Sequence, residues 1–89
     1  MAHSVGGQVR VVLFATARQA VGAGEITWEV PTEGITVGEL IEGLTSRYPH
    51  LRPIVAHSRL LCNGEYLPRR SVRLRAGDEF AVHPPYSGG

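Results

Sequence analysis

Residues that could carry out chemistry are scarce in this chain, and most of the usual combinations are missing. The 89 residues include four histidines, one cysteine and no lysine. Without lysine, the chain can form no Schiff base and has no P-loop lysine for binding phosphate. No two histidines are four residues apart, and a single cysteine cannot form a Cys-x-x-Cys pair. The sequence therefore predicts no metal site.

Nucleophilic catalysis by a side chain of this protein is not expected either. A Ser-His-Asp triad would depend on Asp78, the only aspartate, which follows Gly77 in a predicted turn. A chain of this length hardly supplies the ordered cleft that a triad requires. Cys62 has no basic activator beside it in the sequence, so we interpret it as a packed or half-buried thiol. These features indicate a protein that is not itself an enzyme.

The strongest chemical signal is the C-terminal sequence Pro84-Pro85-Tyr86-Ser87-Gly88-Gly89. Its two prolines stiffen the chain where it leaves the last predicted strand. The two glycines lack a Cβ atom and can pass through a channel too narrow for other residues. Fully extended, the six residues reach about 20 Å and end in the carboxylate of Gly89. This pattern indicates that the active site of another protein acts on that carboxylate.

The elements that must position this tail begin with two strands and a helix. Residues 9–15 and 25–30 alternate in hydrophobicity and predict strands, with a connection over residues 16–24. Thr36 and Glu39 form the Thr-x-x-Glu capping box that starts a helix, and Pro49 ends it. The apolar stripe of this helix, at the spacing of a core-facing surface, is Val37, Leu40, Ile41, Leu44 and Tyr48.

The second half of the chain predicts shorter elements. An irregular link covers residues 50–58, and a strand at 59–62 leads into the turn Asn63-Gly64. Short apolar pieces follow at 66–67 and 72–74, and the last strand is 79–83.

One main helix can cover one face of a small sheet, so the order predicts an α+β fold. We expect a ubiquitin-like β-grasp with a mixed sheet of four to five strands, its first and last strands adjacent in the middle. The domain would span residues 8–83, between a flexible leader at 1–7 and an extended tail at 84–89.

The outward faces of the first and last strands predict a surface for a partner. Both carry apolar or aromatic side chains where a solvated face would be polar. Such patches usually mark an interface, although a loop of the same chain could cover the patch instead. The candidate residues, including arginines at the rim and an exposed aromatic, are Val12, Phe14, Ala81, His83, Arg10, Arg18 and Tyr66.

Charge and composition exclude several classes of partner. The net charge is +1, which is too small to favour binding to nucleic acid. No apolar run approaches the roughly 20 residues that a membrane-spanning helix needs. The first eight residues lack the pattern of a secretory signal, and one cysteine can form no internal disulfide. These features predict a protein of the reducing cytoplasm.

Four of the nine arginines cluster late in the chain, at Arg69, Arg70, Arg73 and Arg75. One interpretation is a solvated edge of the sheet, and the other is a patch for an acidic partner. The sequence alone leaves both open.

The chain resembles the small subunits of molybdopterin synthase, which are ubiquitin-like sulfur carriers of molybdenum cofactor biosynthesis. The resemblance covers residues 9–89, and its tail motif is the most specific part. Two positions depart from the family pattern: a small aliphatic residue is usual in place of Tyr86, and an aliphatic or aromatic residue is common at His83. The matching pieces are Val11-Val12-Leu13-Phe14-Ala15 with Arg18 and Gly22, Thr36-Val37-x-Glu39-Leu40, Leu44-x-x-Arg47-Tyr48-Pro49, Asn63-Gly64-Glu65, Gly77-Asp78-Glu79 and Pro84-Pro85-x-Ser87-Gly88-Gly89.

The resemblance implies a function for the tail. An ATP-using enzyme would adenylate the Gly89 carboxylate and convert it to a thiocarboxylate, while Gly88 threads the active site. The tail would then give its sulfur to a cyclic pyranopterin precursor. The partner would be the large subunit, in a heterotetramer, and it would supply the catalytic lysines. No cofactor is expected on this chain. The implied docking residues are the candidate surface residues above together with Pro84, Pro85, Tyr86 and Ser87.

Two alternatives to this function stay open. One is a related sulfur carrier that serves cysteine or thiamine biosynthesis. The other is a ubiquitin-like modifier joined to lysines of target proteins, or a β-grasp binding module without tail chemistry.

Overall fold

The computed structural model describes residues 6–85, and the predictions about residues 1–5 and 86–89 lie outside that range. Three helices and seven strands form in this part of the chain. The helices are α1 (Ala15–Val21), α2 (Val37–Arg47) and α3 (Leu51–Ala56). The strands are β1 (Gln8–Leu13), β2 (Glu25–Glu29), β3 (Ile35–Thr36), β4 (Arg59–Cys62), β5 (Glu65–Tyr66), β6 (Arg73–Leu74) and β7 (Glu79–His83).

The main sheet has five strands in the order β2-β1-β7-β4-β5. β1 and β7 run parallel to each other in its interior, and the other pairs are antiparallel. The prediction that the first and last strands are neighbours is therefore confirmed, as is the α+β, β-grasp fold class. Among residues 6–85, no helix has the length and hydrophobicity needed to cross a membrane.

Helix α2 covers the inner face of this sheet, as its apolar stripe predicts. The capping box is formed: the backbone N–H of Glu39 donates to Thr36 Oγ1 at 3.1 Å, and that of Thr36 donates to Glu39 Oε1 at 2.8 Å. The bond from the Thr36 backbone holds the pKa of Glu39 below its usual range. Four stripe residues are buried and Tyr48 is half-buried, and the helix ends before Pro49 as expected.

Two short helices, which were not predicted from the sequence, occur in the connection over 16–24 and in the link over 50–58, so the prediction of an irregular link is wrong. α1 occupies most of the connection over 16–24 and buries Ala17, and Gly22 ends it. α3 lies within the link over 50–58 and buries Leu51 and Val55 against the core. Pro53 is the third residue of α3, where the backbone needs no N–H donor, so proline does not prevent this helix.

The remaining connections differ from expectation in two places. The predicted piece at 72–74 forms β6, and it pairs with β3, which the sequence did not reveal, in a second, two-stranded sheet. Gly7 was assigned to the flexible leader, but its carbonyl accepts a hydrogen bond from the Val30 N–H at 3.0 Å. The folded part of the chain therefore includes Gly7. The Asn63-Gly64 turn is confirmed, with φ values of 51° and 85° that suit a two-residue hairpin.

Gly43 lies in the middle of α2, where glycine normally weakens a helix, and the structure gives the reason for it. A Cβ atom at this position would lie 2.6 Å from Cζ2 of Trp28 on β2. Alanine would gain about 1 kcal/mol in helix propensity, but overpacking typically costs about 1–3 kcal/mol. We expect Gly43→Ala to lower the free energy of unfolding by about 1 kcal/mol net, measured by urea denaturation.

Gly38 provides the matched control in the same helix. A Cβ atom there would meet its nearest neighbour, the Arg70 carbonyl oxygen, at 3.6 Å, which is an ordinary contact. Gly38→Ala should leave stability unchanged or raise it by up to about 1 kcal/mol. Equal stabilities of the two variants would show that the contact with Trp28 does not select glycine.

Candidate functional site

The strand pairings place a row of side chains across the outer face of the five-stranded sheet, which is the face away from α2. Val12 is opposite Ala81, Ala81 is opposite Leu61, and Leu61 is opposite Tyr66. Directly opposed residues point to the same face, so the row crosses four strands from β1 to β5. The residues that alternate with them, such as Val11 and Val82, belong to the buried core on the inner face.

A second row lies closer to the end of β7. The rings of Phe14 and His83 are stacked with their centroids 4.1 Å apart. His83 is opposite Arg59, whose Nη1 donates to the Tyr66 hydroxyl at 2.9 Å. The Arg59 guanidinium also lies over the Tyr66 ring, 5.5 Å from its centroid, in a cation–π arrangement. We call the two rows the outer-face patch; its residues are Val12, Phe14, Arg59, Leu61, Tyr66, Ala81 and His83.

The backbone around Phe14 fixes this side chain at the end of the patch. The Phe14 N–H donates to the Val82 carbonyl at 3.3 Å, which continues the pairing of β1 with β7. The next residue, Ala15, turns the chain into α1 with φ 51°, a left-handed conformation that is uncommon for residues other than glycine. Strained backbone of this kind is often found where a side chain must be held for function.

The residues of the outer-face patch differ in the exposed fraction of their side chains. Phe14 and Tyr66 are the exposed large hydrophobic residues within residues 6–85, at 40% and 63%. No described segment therefore covers these two side chains, and the alternative of a covering loop is wrong for them. Ala81 lies on the predicted face but is only 6% exposed, because its short side chain sits between Val12 and Leu61. It forms part of the floor of the patch.

A polar rim bounds the patch on one side. Arg10 forms an ion pair with Glu79 beside it on β7 and a second with Glu25 on β2, with Nε and Oε2 at 3.8 Å. The hydrogen bond and charge of Glu79 raise the pKa of Arg10 above its usual value. An apolar centre with a charged rim is the composition expected of a protein interface.

The base of the tail adjoins this patch. β7 ends at His83, and the two prolines that follow are half-buried and exposed, respectively. A cavity of about 390 Å³ is bounded by His57, Arg59, His83, Pro84 and Pro85. The chain thus leaves the sheet next to the stacked pair of Phe14 and His83. The other predicted tail residues, Tyr86, Ser87, Gly88 and Gly89, lie outside the described residues.

The predicted partner surface differs from the outer-face patch in two ways. Arg18 lies on α1, with its guanidinium near Gly24, and the sheet does not place it on the outer face. Conversely, Leu61 and Arg59 belong to the patch but were not predicted. The Asn63-Gly64 turn carried the necessary signal, because a two-residue hairpin sets Leu61 opposite Tyr66.

The other side chains of the domain that could take part in a reaction, Cys62 and Asp78, have structural roles. Burial, followed by the charge of Asp78, raises the pKa of the half-buried Cys62 thiol, so it is less nucleophilic than a free cysteine. Asp78 accepts hydrogen bonds from Asn63 Nδ2 at 3.1 Å and from the Arg75 N–H at 2.8 Å. Both acceptor oxygens therefore hold loops together. Over the described range, no group of three His, Cys, Asp or Glu side chains is arranged to hold a metal ion.

Known proteins resemble this chain in sequence and in fold. The ThiS family model matches residues 11–89. The molybdopterin synthase sulfur carrier subunit of Drosophila melanogaster is 40% identical over 83 residues, covering 91% of this chain and 90% of the relative. The crystal structure of SAMP1 from Haloferax volcanii has a TM-score of 0.80 and 31% identity, covering 93% of this chain and 100% of that one.

A third similar structure is a complex of subunits 1 and 2 of molybdopterin-converting factor from Helicobacter pylori. It has a TM-score of 0.67 at 17% identity, covering 92% of this chain and 99% of that chain, which supports the fold alone. The resemblance seen in the sequence is confirmed, because the family model and the Drosophila relative each match most of the chain. The chain belongs to the ThiS family.

Proposed function

We propose that this chain is the sulfur carrier subunit of a molybdopterin synthase. The observation that carries the proposal is the junction between the outer-face patch and the base of the tail. Phe14 and His83 are stacked at the point where β7 passes into Pro84. A protein bound to the patch therefore lies beside the chain that leads to Gly89. The Drosophila relative bears the name of this function and is similar over most of its length.

The chemistry belongs to the tail carboxylate. An oxygen of the Gly89 carboxylate attacks the α-phosphorus of ATP on an activating enzyme, and pyrophosphate leaves. The outer sulfur of a persulfide on a sulfur donor then attacks the acyl carbon, and AMP leaves. A thiol reductant cleaves the S–S bond of the resulting acyl disulfide, which leaves the thiocarboxylate on Gly89 and a thiol on the donor. Gly88 has no side chain to obstruct this carboxylate in a narrow active site. The chain is a co-substrate in these steps and supplies no catalytic side chain.

The proposed partner for delivery is the large subunit. In Helicobacter pylori, subunits 1 and 2 of molybdopterin-converting factor form a complex, and we infer a corresponding pairing through the outer-face patch. We expect a heterotetramer in which the large subunit provides the catalytic lysines that this chain lacks. We propose that the protein acts in the cytoplasm, where ATP is available to the activating enzyme.

A protein-modifying function is the second candidate, because SAMP1, a small archaeal modifier protein by name, is among the most similar structures. Both functions begin with activation of the terminal glycine. They diverge at the acceptor, which is a sulfur-accepting small molecule for a carrier and a lysine amine for a modifier. An isopeptide conjugate in the native host, with no transfer of sulfur to the pterin precursor, would favour the modifier.

The loaded carrier should be visible by mass. After incubation with ATP, an activating enzyme and a sulfur donor, intact mass should rise by about 16 Da for a thiocarboxylate, whereas a persulfide on Cys62 would add about 32 Da. A thiol reductant removes a persulfide but leaves a thiocarboxylate in place. Mass spectrometry of the wild type with and without reductant separates the two products.

Cys62→Ser is the control for this experiment. The smaller shift should persist in this variant, because the reacting atom is on Gly89. A reducible 32 Da shift that is lost in Cys62→Ser would move the chemistry to the thiol and overturn the proposal. Transfer from the loaded chain to a cyclic pyranopterin, with the large subunit present, then separates this pathway from those of cysteine and thiamine.

A further inference from the structure

A second cavity lies at the edge of the sheet, next to β4 and the segment after β5. Its volume is about 330 Å³. Three arginines surround an apolar floor made by residues of α2, β4 and the loop after β5. We call it the arginine pocket; the arginines and floor residues are Arg59, Arg69, Arg70, Val37, Leu60 and Leu67.

The positive charge of this pocket is not balanced by its own surroundings. None of the residues that line it is acidic. Both ion pairs found within residues 6–85 involve Arg10, so no described carboxylate lies within 4 Å of the pocket arginines. Glu65 on β5 does not line the pocket and forms no ion pair with the pocket arginines among the described residues. Three uncompensated guanidinium groups around one cavity favour an anionic ligand.

The local backbone argues against a free phosphate as that ligand. Phosphate sites at a helix start use the first backbone N–H groups of the helix. Here the N–H of Val37 donates to the Val72 carbonyl at 2.9 Å, and that of Gly38 donates to the Arg70 carbonyl at 2.9 Å. The N–H of Glu39 is taken by Thr36 Oγ1. Arginines around an apolar floor, without free backbone donors, are instead typical of the centre of a protein interface.

The arginine pocket is continuous with the outer-face patch. Arg59 and Tyr66 line the pocket and are also members of the patch. Their mutual hydrogen bond and cation–π contact hold the Arg59 guanidinium at the boundary between the two. A protein that covers the patch would reach the pocket, whose floor lies on the α2 side of the sheet, by extending around the edge strand β5.

We propose that the arginine pocket binds an acidic segment of the protein that docks on the outer-face patch. This proposal rests on the proposed function for the existence of that partner. The segment would place Asp or Glu carboxylates against Arg59, Arg69 and Arg70 and apolar groups on the floor. The arginine cluster noted in the sequence would then divide into two parts. Arg69 and Arg70 bind the partner, while the Arg73 guanidinium donates to the carbonyls of Glu33 and Gly34 within the domain.

A peptide titration tests the pocket without the partner. The probe is a hexaglutamate peptide added to the full ¹⁵N-labelled chain, with hexaglutamine as the neutral control. Amide shifts should concentrate at residues such as Val37 and Leu67 with hexaglutamate and be absent with hexaglutamine. Arg70→Glu should weaken hexaglutamate binding by about fivefold, the effect of losing one exposed ion pair.

Arg52→Glu is the matched control, because it makes the same charge change at an exposed residue of α3 outside the pocket. It should alter peptide affinity by less than about twofold, as expected for a distant, screened charge. Equal losses in the two variants would indicate attraction by net charge alone and overturn the pocket. Tighter binding of inorganic pyrophosphate than of hexaglutamate would also overturn it, in favour of a small-anion site. Thermal denaturation checks that both variants are folded.

A second arm measures affinity for the large subunit. Combined substitution of Arg69 and Arg70 by Glu should weaken binding at least about tenfold and reduce its dependence on salt. Wild-type affinity of this double variant, when Phe14→Arg has lost affinity, would contradict the pocket and leave the carrier function intact. If the wild-type chain gains no sulfur and binds no large subunit, the carrier function fails. The peptide titration then still tests whether the arginine pocket binds acidic peptide, because it does not depend on the large subunit.

Discussion

Deletion of Gly89 is expected to reduce sulfur loading to an undetectable level. The deletion leaves a carboxylate on Gly88, one residue closer to the domain. An extended residue spans about 3.5 Å, and a displacement of about 1 Å from the reacting position can already cost about 100-fold in rate. The readout is the mass increase after incubation with ATP, activating enzyme and sulfur donor. Adding one glycine after Gly89 should have the same effect, because it moves the carboxylate by the same distance in the other direction.

Folding should not change in these tail variants. The buried core consists of residues from Val9 to Val82, all within the domain. Unfolding midpoints in urea should therefore match that of the wild type, and binding to the large subunit through the outer-face patch should persist. Sulfur loading at the wild-type rate by the chain that lacks Gly89 would exclude the terminal carboxylate as the carrier group.

Phe14→Arg is expected to weaken binding to the large subunit by about 30-fold or more, which corresponds to losing one well-packed aromatic anchor. Phe14 is exposed and stacked on His83 at the base of the tail, so a partner there must cover both rings. Arginine would place a charge against an apolar partner surface and remove the stacking. Isothermal titration calorimetry on the purified pair gives the dissociation constants. His83→Glu should act in the same direction, because it introduces the opposite charge at the same contact.

Gln19→Arg is the control for the effect of an added charge. Gln19 is exposed on α1 and is not part of the outer-face patch. This variant should bind as the wild type does. Unchanged affinity of a folded Phe14→Arg protein would show that the large subunit uses another surface, and the assignment of the patch would have to be withdrawn.

The elements that could be predicted from the sequence are those with a long hydrophobic pattern. β1, β2 and α2 each have several residues in one clear period, and the capping box of Thr36 and Glu39 marks the start of α2. α1 and α3 have seven and six residues, too few for isolated helices to be stable. Burial of residues such as Ala17 and Leu51 stabilises them, and that depends on contacts with the rest of the domain. Local sequence does not contain this information.

Only part of the candidate site could likewise be predicted from the sequence. Val12, Phe14 and His83 were found because apolar or aromatic side chains alternate onto the second face of two strands. The Asn63-Gly64 turn sets Leu61 opposite Tyr66, but placing both beside Ala81 also requires the pairing of β4 with β7, which joins residues about 20 positions apart and is not encoded by local spacing. The arginine pocket was beyond prediction, because Arg59 and Arg70 meet there only after the chain has folded around β5. The sequence indicated the cluster but not the cavity.

The position of β7 has a consequence for the order in which enzymes can use this protein. β7 is hydrogen-bonded to β1 on one side and to β4 on the other, so the point where the tail begins is fixed in the sheet. The four residues after Pro85 reach at most about 14 Å in any arrangement. Every enzyme that acts on the carboxylate must therefore place its reacting centre within that distance of Pro85.

The single carboxylate can enter only one active site at a time, so under the proposed function the chain must leave the activating enzyme before it serves the large subunit. At an association rate of about 10⁶ M⁻¹s⁻¹, a nanomolar complex would last roughly 1,000 s, whereas a micromolar one would last roughly 1 s. A chain that shuttles repeatedly is served better by the shorter lifetime. We therefore expect the outer-face patch to bind the activating enzyme with micromolar affinity, so that turnover is limited by chemistry and not by release.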